Sequence, residues 1–182
     1  IAPNLNNYII PITVAVLIAL FCVQPFGTHK IGVVFGPIML VWFISIAGFS
    51  FPYVLKYPEV FRAINPFYAY YFVIHNGWIT VYTLGAIVLC ITGAEALYAD
   101  MGHFGRKPIS YSWWLLIFPA LIINYFGQGA LLLHIGDAPI LHLFYAVIPQ
   151  WAMLPMIALA TLATIIASQA LISGSFSLIQ QA

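Results

Sequence analysis

The chain has 182 residues, of which 64% are hydrophobic and 5% charged, with a formal net charge of +1 and a mean hydropathy of +1.04; soluble domains are about 25% charged. This composition excludes water as the main solvent of the fold, and the near-zero net charge leaves no basic patch for nucleic acid. Uninterrupted apolar runs of about 20 residues, enough to cross a bilayer as a helix, recur along the chain. The sequence therefore predicts an all-α polytopic membrane protein rather than a transmembrane barrel, whose strands read as alternating segments of about 10 residues.

The opening IAPNLNNY has neither an initiating Met nor a basic signal-peptide region, so the chain is expected to be a segment of a longer protein. Five spans are predicted, over approximately 8–23, 33–53, 77–98, 112–133 and 151–179. Pro11 falls in the first turn of the first span, where a missing N–H costs little. The second carries Gly36-Pro37 near its start, and KYPEVFRAINPFYAYYF follows it. With two prolines and many aromatic rings, the 54–76 stretch reads as a partly ordered extracellular loop lying at headgroup level. Pro119 interrupts the fourth span, and the fifth is long enough that it should tilt or project. Cys22 and Cys90 sit in apolar runs and read as small hydrophobes.

Orientation follows from the loops. Lys30, Arg106 and Lys107 fall in the first and third, Lys56 and Arg62 in the second. The positive-inside rule then makes loops one and three cytoplasmic.

Polar residues within apolar spans carry what functional signal there is. An ionised carboxylate at the bilayer centre costs about 2.5 to 3.5 kcal/mol on insertion scales, so Glu95 is either part of a pathway or a snorkelling acid near a span end. Thr92 lies three residues earlier on the same helix face. Gly93, between them, lowers helix propensity by about 1 kcal/mol relative to Ala and makes a break conceivable. A break would free carbonyls that, with a hydroxyl and a carboxylate, could replace the water shell of an alkali cation. Asp100 reads as a cap or as a partner of Arg106, and His103 has no second metal ligand at helical spacing. Asn124 and Gln128 share a face, with Gly127 and Gly129 allowing close helix approach; they bond between helices or line a path. Ser168, Gln169 and Ser173 on the fifth span pose the same choice. No triad, paired catalytic carboxylates, HExxH or phosphate-cradling loop is present, so the chain does not read as an enzyme.

Five stretches carry a family resemblance: ITGAEALYADMGHFGRKPI, NYFGQGALLL, GTHKIGVVFGPIMLVWF, INPFYA and ATIIASQALISGSFSL. Together they resemble the Kup/HAK/KT family of potassium-uptake permeases, along almost the whole chain, at a place corresponding to transmembrane helices four to eight. The resemblance implies an amino acid–polyamine–cation (LeuT-like) inverted-repeat fold in a multi-pass protein of the plasma (inner) membrane, moving potassium with protons by alternating access and needing no cofactor. The third span would be a helix broken at mid-membrane, with Glu95 and Thr92 on the potassium and proton path and Gly93, Asp100, His103 and Arg106 forming its cytoplasmic exit. The implied partners are potassium, protons, the bilayer, the remaining helices and C-terminal domain of the full-length chain, and a second copy in a homodimer. The family's first and third helices and its hydrophilic domain have no counterpart here, so the segment alone is expected not to transport. Two alternatives stay open, a channel-like pore, although no TVGYG-like filter is present, and a non-transporting scaffold or subunit.

Overall fold

Every regular element among the described residues, 10–11, 13–18, 28–91, 101, 105–136 and 142–181, is helical in a computed structural model of the chain. That is the expected answer of an apolar sequence to the need to satisfy its own backbone N–H and C=O groups. The elements are α1 (Thr28–Lys56), a 3-10 helix (Pro58–Ile64), α2 (Pro66–His75), α3 (Trp78–Ile91), α4 (Arg106–Ser112), a π-helical turn (Trp113–Ile117), α5 (Phe118–Ile135), α6 (Leu143–Ala146), a second 3-10 turn (Gln150–Ala152) and α7 (Met153–Gln181). Three stretches, Val34–Lys56, Arg106–Ile135 and Gln150–Phe176, are long and apolar enough to cross a membrane, and Trp78–Leu89 is a shorter apolar helix.

Two differences from the sequence reading have clear physical causes. Where a partly ordered loop is expected over 54–76, the chain forms the 3-10 helix and α2. The Asn65 side chain accepts from the Phe67 N–H at 3.0 Å, and Pro66 occupies the first helical position; both favour a helix start. The second difference lies around Pro119. Instead of interrupting the fourth span, Pro119 follows the π turn, in which the Phe118 N–H reaches the Trp113 carbonyl. Widening the register there accommodates the N–H that proline lacks, so helical structure continues from Arg106 to Ile135.

The chain divides into two compact units, Ile1–Trp42 with Ile157–Ala182, and Phe43–Met156. In the first, α7 turns one face inward through Ala163, Ile166 and Gln169, which are buried. Thr161, Thr164, Ser168 and Ser175 each donate a hydroxyl to the carbonyl four residues earlier. An apolar helix tolerates such hydroxyls because each is satisfied on its own backbone.

The second unit is built on a crossing of α1 and α5. Small or polar residues mark the buried side of α5, namely Ala120, Asn124, Gly127 and Ala130 with Leu131. Ser50 Oγ donates to Asn124 Oδ1 at 3.1 Å, and Ser50 is fully buried. Gly127 lets the backbones meet at this point, because a Cβ there would lie 2.5 Å from the Ser50 carbonyl oxygen. Further along, Val60 of the 3-10 helix packs over Gly129, at 3.3 Å from where its Cβ would be, Phe61 lies against Phe126, and Tyr57 stacks on His134. From Ser50–Gly127 to Tyr57–His134 the contact moves forward along both chains, so α1 and α5 run parallel before the 3-10 helix turns back over Gly129 and Phe126; Lys56 and Ile135 end on one side and Arg106 starts on the other. Two parallel spans require a return between them. The turn into α3 provides its beginning, with Gly77 at φ +46°, a conformation that glycine adopts without a Cβ penalty.

Candidate functional site

Thr92, Gly93, Glu95, Asp100 and His103, the centre of the predicted ion path and its exit, lie outside the described residues. Helix α3 leads to them and ends at Ile91. Its surroundings within this unit are sparse: Thr80 is buried, whereas Trp78, Ile79, Val81, Tyr82, Leu84, Ile87, Val88 and Leu89 are all exposed. Thr80 lies where α3 meets α2, its hydroxyl pointing toward the carbonyls of Phe72 and Val73 at 3.5 and 3.4 Å. From Leu84 to Leu89 this apolar helix is exposed on every side, which suits lipid or further protein and not water.

The remaining candidates are described. Arg106 opens α4 and is exposed, as suits a cation at the end of a span. Asn124 is 6% exposed and occupied with Ser50, and Gln128, one turn on, is half-buried. In the other unit, Ser168 is committed to the Thr164 carbonyl at 2.9 Å. Gln169 is 3% exposed and its Nε2 lies 3.4 Å from the Ser173 hydroxyl. Asn124 thus joins two helices, whereas Ser168 is satisfied within one. Among the described residues no group of three or more His, Cys, Asp or Glu side chains converges on a point that could hold a metal ion.

Two features were missed by sequence reasoning. Ser50 is the partner that fixes Asn124, and its signal was weak, a single hydroxyl in FISIAGFSF. The second is a groove at the far ends of α1 and α5, lined by Lys56, Tyr57, Pro58, Glu59, Ala130, Leu133 and His134. Its members are 70 residues or more apart in sequence across the two helices, so no local spacing could reveal it.

All-helical architecture, spans of membrane length, a tight small-residue crossing and cations parted between opposite span ends define a multi-pass membrane protein. Residues 1–182 match the family described as the K+ potassium transporter integral membrane domain, and the chain belongs to that family. Its relatives include the probable potassium transport system protein Kup of Pseudomonas putida, 55% identical over 180 residues that cover 98% of this chain and 28% of the relative. The proteins of that name from Xanthomonas campestris pv. campestris and Chlorobium luteolum are 50% identical over 181 residues and 55% identical over 183, each alignment covering 100% of this chain and 28% of the relative. The chain therefore spans 28% of the length of these curated relatives. No solved structure matches it. Membership in a transporter family also agrees with the lack of a catalytic motif in the sequence.

Proposed function

We propose that this chain is part of the membrane domain of a potassium importer of the plasma membrane, taking up potassium together with protons. The observation that carries the reading is the match of the whole chain to a potassium-transporter membrane domain, with identity of 50% or more to relatives named as potassium transport proteins. In this reading potassium sheds part of its water near Thr92, against its hydroxyl and backbone carbonyls. Glu95 supplies negative charge and carries the coupling proton. Alternating access follows from one helix bundle rocking against another in a LeuT-like inverted-repeat fold, for which the remaining helices of the full-length protein are needed. The exposure of α3 on every side from Leu84 to Leu89 supports that requirement, since such a helix calls for neighbours beyond these residues.

The test is growth of a potassium-uptake-deficient bacterial strain at limiting potassium, carrying the full-length transporter or its Glu95→Gln variant. Rescue by the parent and not by a variant that reaches the membrane equally well supports both the importer and the role of Glu95. Equal rescue by the variant removes Glu95 from the mechanism. No rescue by a correctly inserted parent favours a scaffold.

A further inference from the structure

None of the residues that line the groove at the ends of α1 and α5 belongs to the predicted ion path. The groove's volume is about 320 Å³. Both spans that form it, Val34–Lys56 and Arg106–Ile135, end there, which sets it at the depth where hydrocarbon gives way to lipid headgroups. Its platform is aromatic: the Tyr57 and His134 rings stack with centroids 4.1 Å apart and planes 20° from parallel. Lys56 and Glu59 bring one charge of each sign to the rim. Among the described residues these charges are not paired with each other; the Lys56 ammonium lies over the Tyr57 ring, 5.2 Å from its centroid. Leu133 gives the groove its exposed apolar wall, with Ala130 fully buried beneath, and Leu55 and Leu132, each next in sequence to a lining residue, are exposed as well.

We propose that this groove binds a phospholipid whose headgroup joins a phosphate to a primary ammonium. The Lys56 ammonium donates to the phosphate oxygens, the Glu59 carboxylate accepts from the headgroup N–H groups, and the acyl chains descend along the exposed Leu133. Charge complementarity selects this occupant. A purely anionic headgroup would gain Lys56 but meet Glu59 as a like charge, and a free cation would meet Lys56. A quaternary ammonium has no N–H to offer the carboxylate and would forgo the charge-assisted hydrogen bond. The proposal rests on the membrane-spanning reading alone, so it stands or falls independently of potassium transport.

The experiment reconstitutes the full-length transporter in bilayers with equal amounts of phosphatidylethanolamine, phosphatidylcholine and phosphatidylglycerol. Lipids retained after stepwise delipidation are then counted by native mass spectrometry. Phosphatidylethanolamine should be retained in preference to the other two. Lys56→Ala and Glu59→Gln should each reduce that retention about tenfold, the minimum effect of losing one charge-assisted hydrogen bond. Arg62→Ala, an exposed cation of the same loop that does not line the groove, should leave it unchanged. Equal retention of phosphatidylcholine, preference for phosphatidylglycerol that survives Glu59→Gln, or retention indifferent to both substitutions would each overturn the proposal. So would the absence of any retained lipid, which would mean that other helices of the full-length chain fill the groove.

Discussion

Gly127→Ala probes the helix crossing with the smallest possible perturbation. The added methyl carbon would sit 2.5 Å from the Ser50 carbonyl oxygen, 2.6 Å from its Cβ and 2.9 Å from its Cα, where ordinary contact begins at 3.4 Å. Two of these three atoms are backbone, so no rotamer change relieves the overlap, and α1 and α5 must part by about 1 Å. Overpacking of this kind costs about 1 to 3 kcal/mol. The Ser50–Asn124 bond, 3.1 Å in the native crossing, stretches beyond hydrogen-bonding distance, and interhelical bonds in membranes contribute about 0.6 kcal/mol on average. Better helix propensity offsets up to about 1 kcal/mol. The net expectation is destabilisation by about 0.6 to 3.6 kcal/mol, which would be read as a fall of several degrees in the apparent Tm of the detergent-solubilised full-length protein. Gly48→Ala is the control. It lies two residues from Ser50 on α1, and a Cβ there meets nothing within 4 Å. If Gly127→Ala proves as stable as Gly48→Ala, α1 and α5 do not approach this closely and the crossing is wrong.

Other expectations follow from the same geometry. Ser50→Ala and Asn124→Leu, combined in a double-mutant cycle on Tm or denaturant stability, should show coupling of about 0.6 kcal/mol and no more than about 1.7; strict additivity would mean that the two side chains do not bond. Gly129→Ala should cost less than Gly127→Ala, because the neighbour at 3.3 Å is a Val60 methyl group that can move and not backbone. Asn65→Ala removes the acceptor for the Phe67 N–H and should weaken the start of α2 by about 1 kcal/mol. Hydrogen exchange would report this as faster exchange at residues 67–69, and unchanged protection there would argue against the cap.

What could be read from the sequence follows a physical divide. Apolar run length alone predicts spans, because an uncharged stretch of such length has no other stable environment, and the helices at Val34–Lys56, Arg106–Ile135 and Gln150–Phe176 lie where those runs are. Asn124 and Gln128, with Gly127 and Gly129, left a choice between a close interhelical contact and a path lining, and the structure contains a close polar contact at Asn124 and Gly127. Its partner was not legible, since whether Ser50 meets Asn124 depends on where two helices cross and not on any local pattern. Helix α2 was obscured for a different reason. Its aromatic rings and prolines resemble an interfacial loop in composition, and the signal that reverses this is a single cap, Asn65 before Pro66. The groove residues, drawn from two helices, illustrate the same limit. For the ion path, Glu95 and Thr92 rest on resemblance, helix spacing and the cost of an intramembrane charge.

Rubidium uptake into proteoliposomes that contain the full-length transporter or its Glu95→Gln variant, with and without an inward proton gradient, decides whether Glu95 couples protons to potassium. Uptake by the parent should saturate and rise with the gradient, and uptake by the variant should stay near background. Gradient-stimulated uptake by Glu95→Gln equal to that of the parent would contradict that role of Glu95.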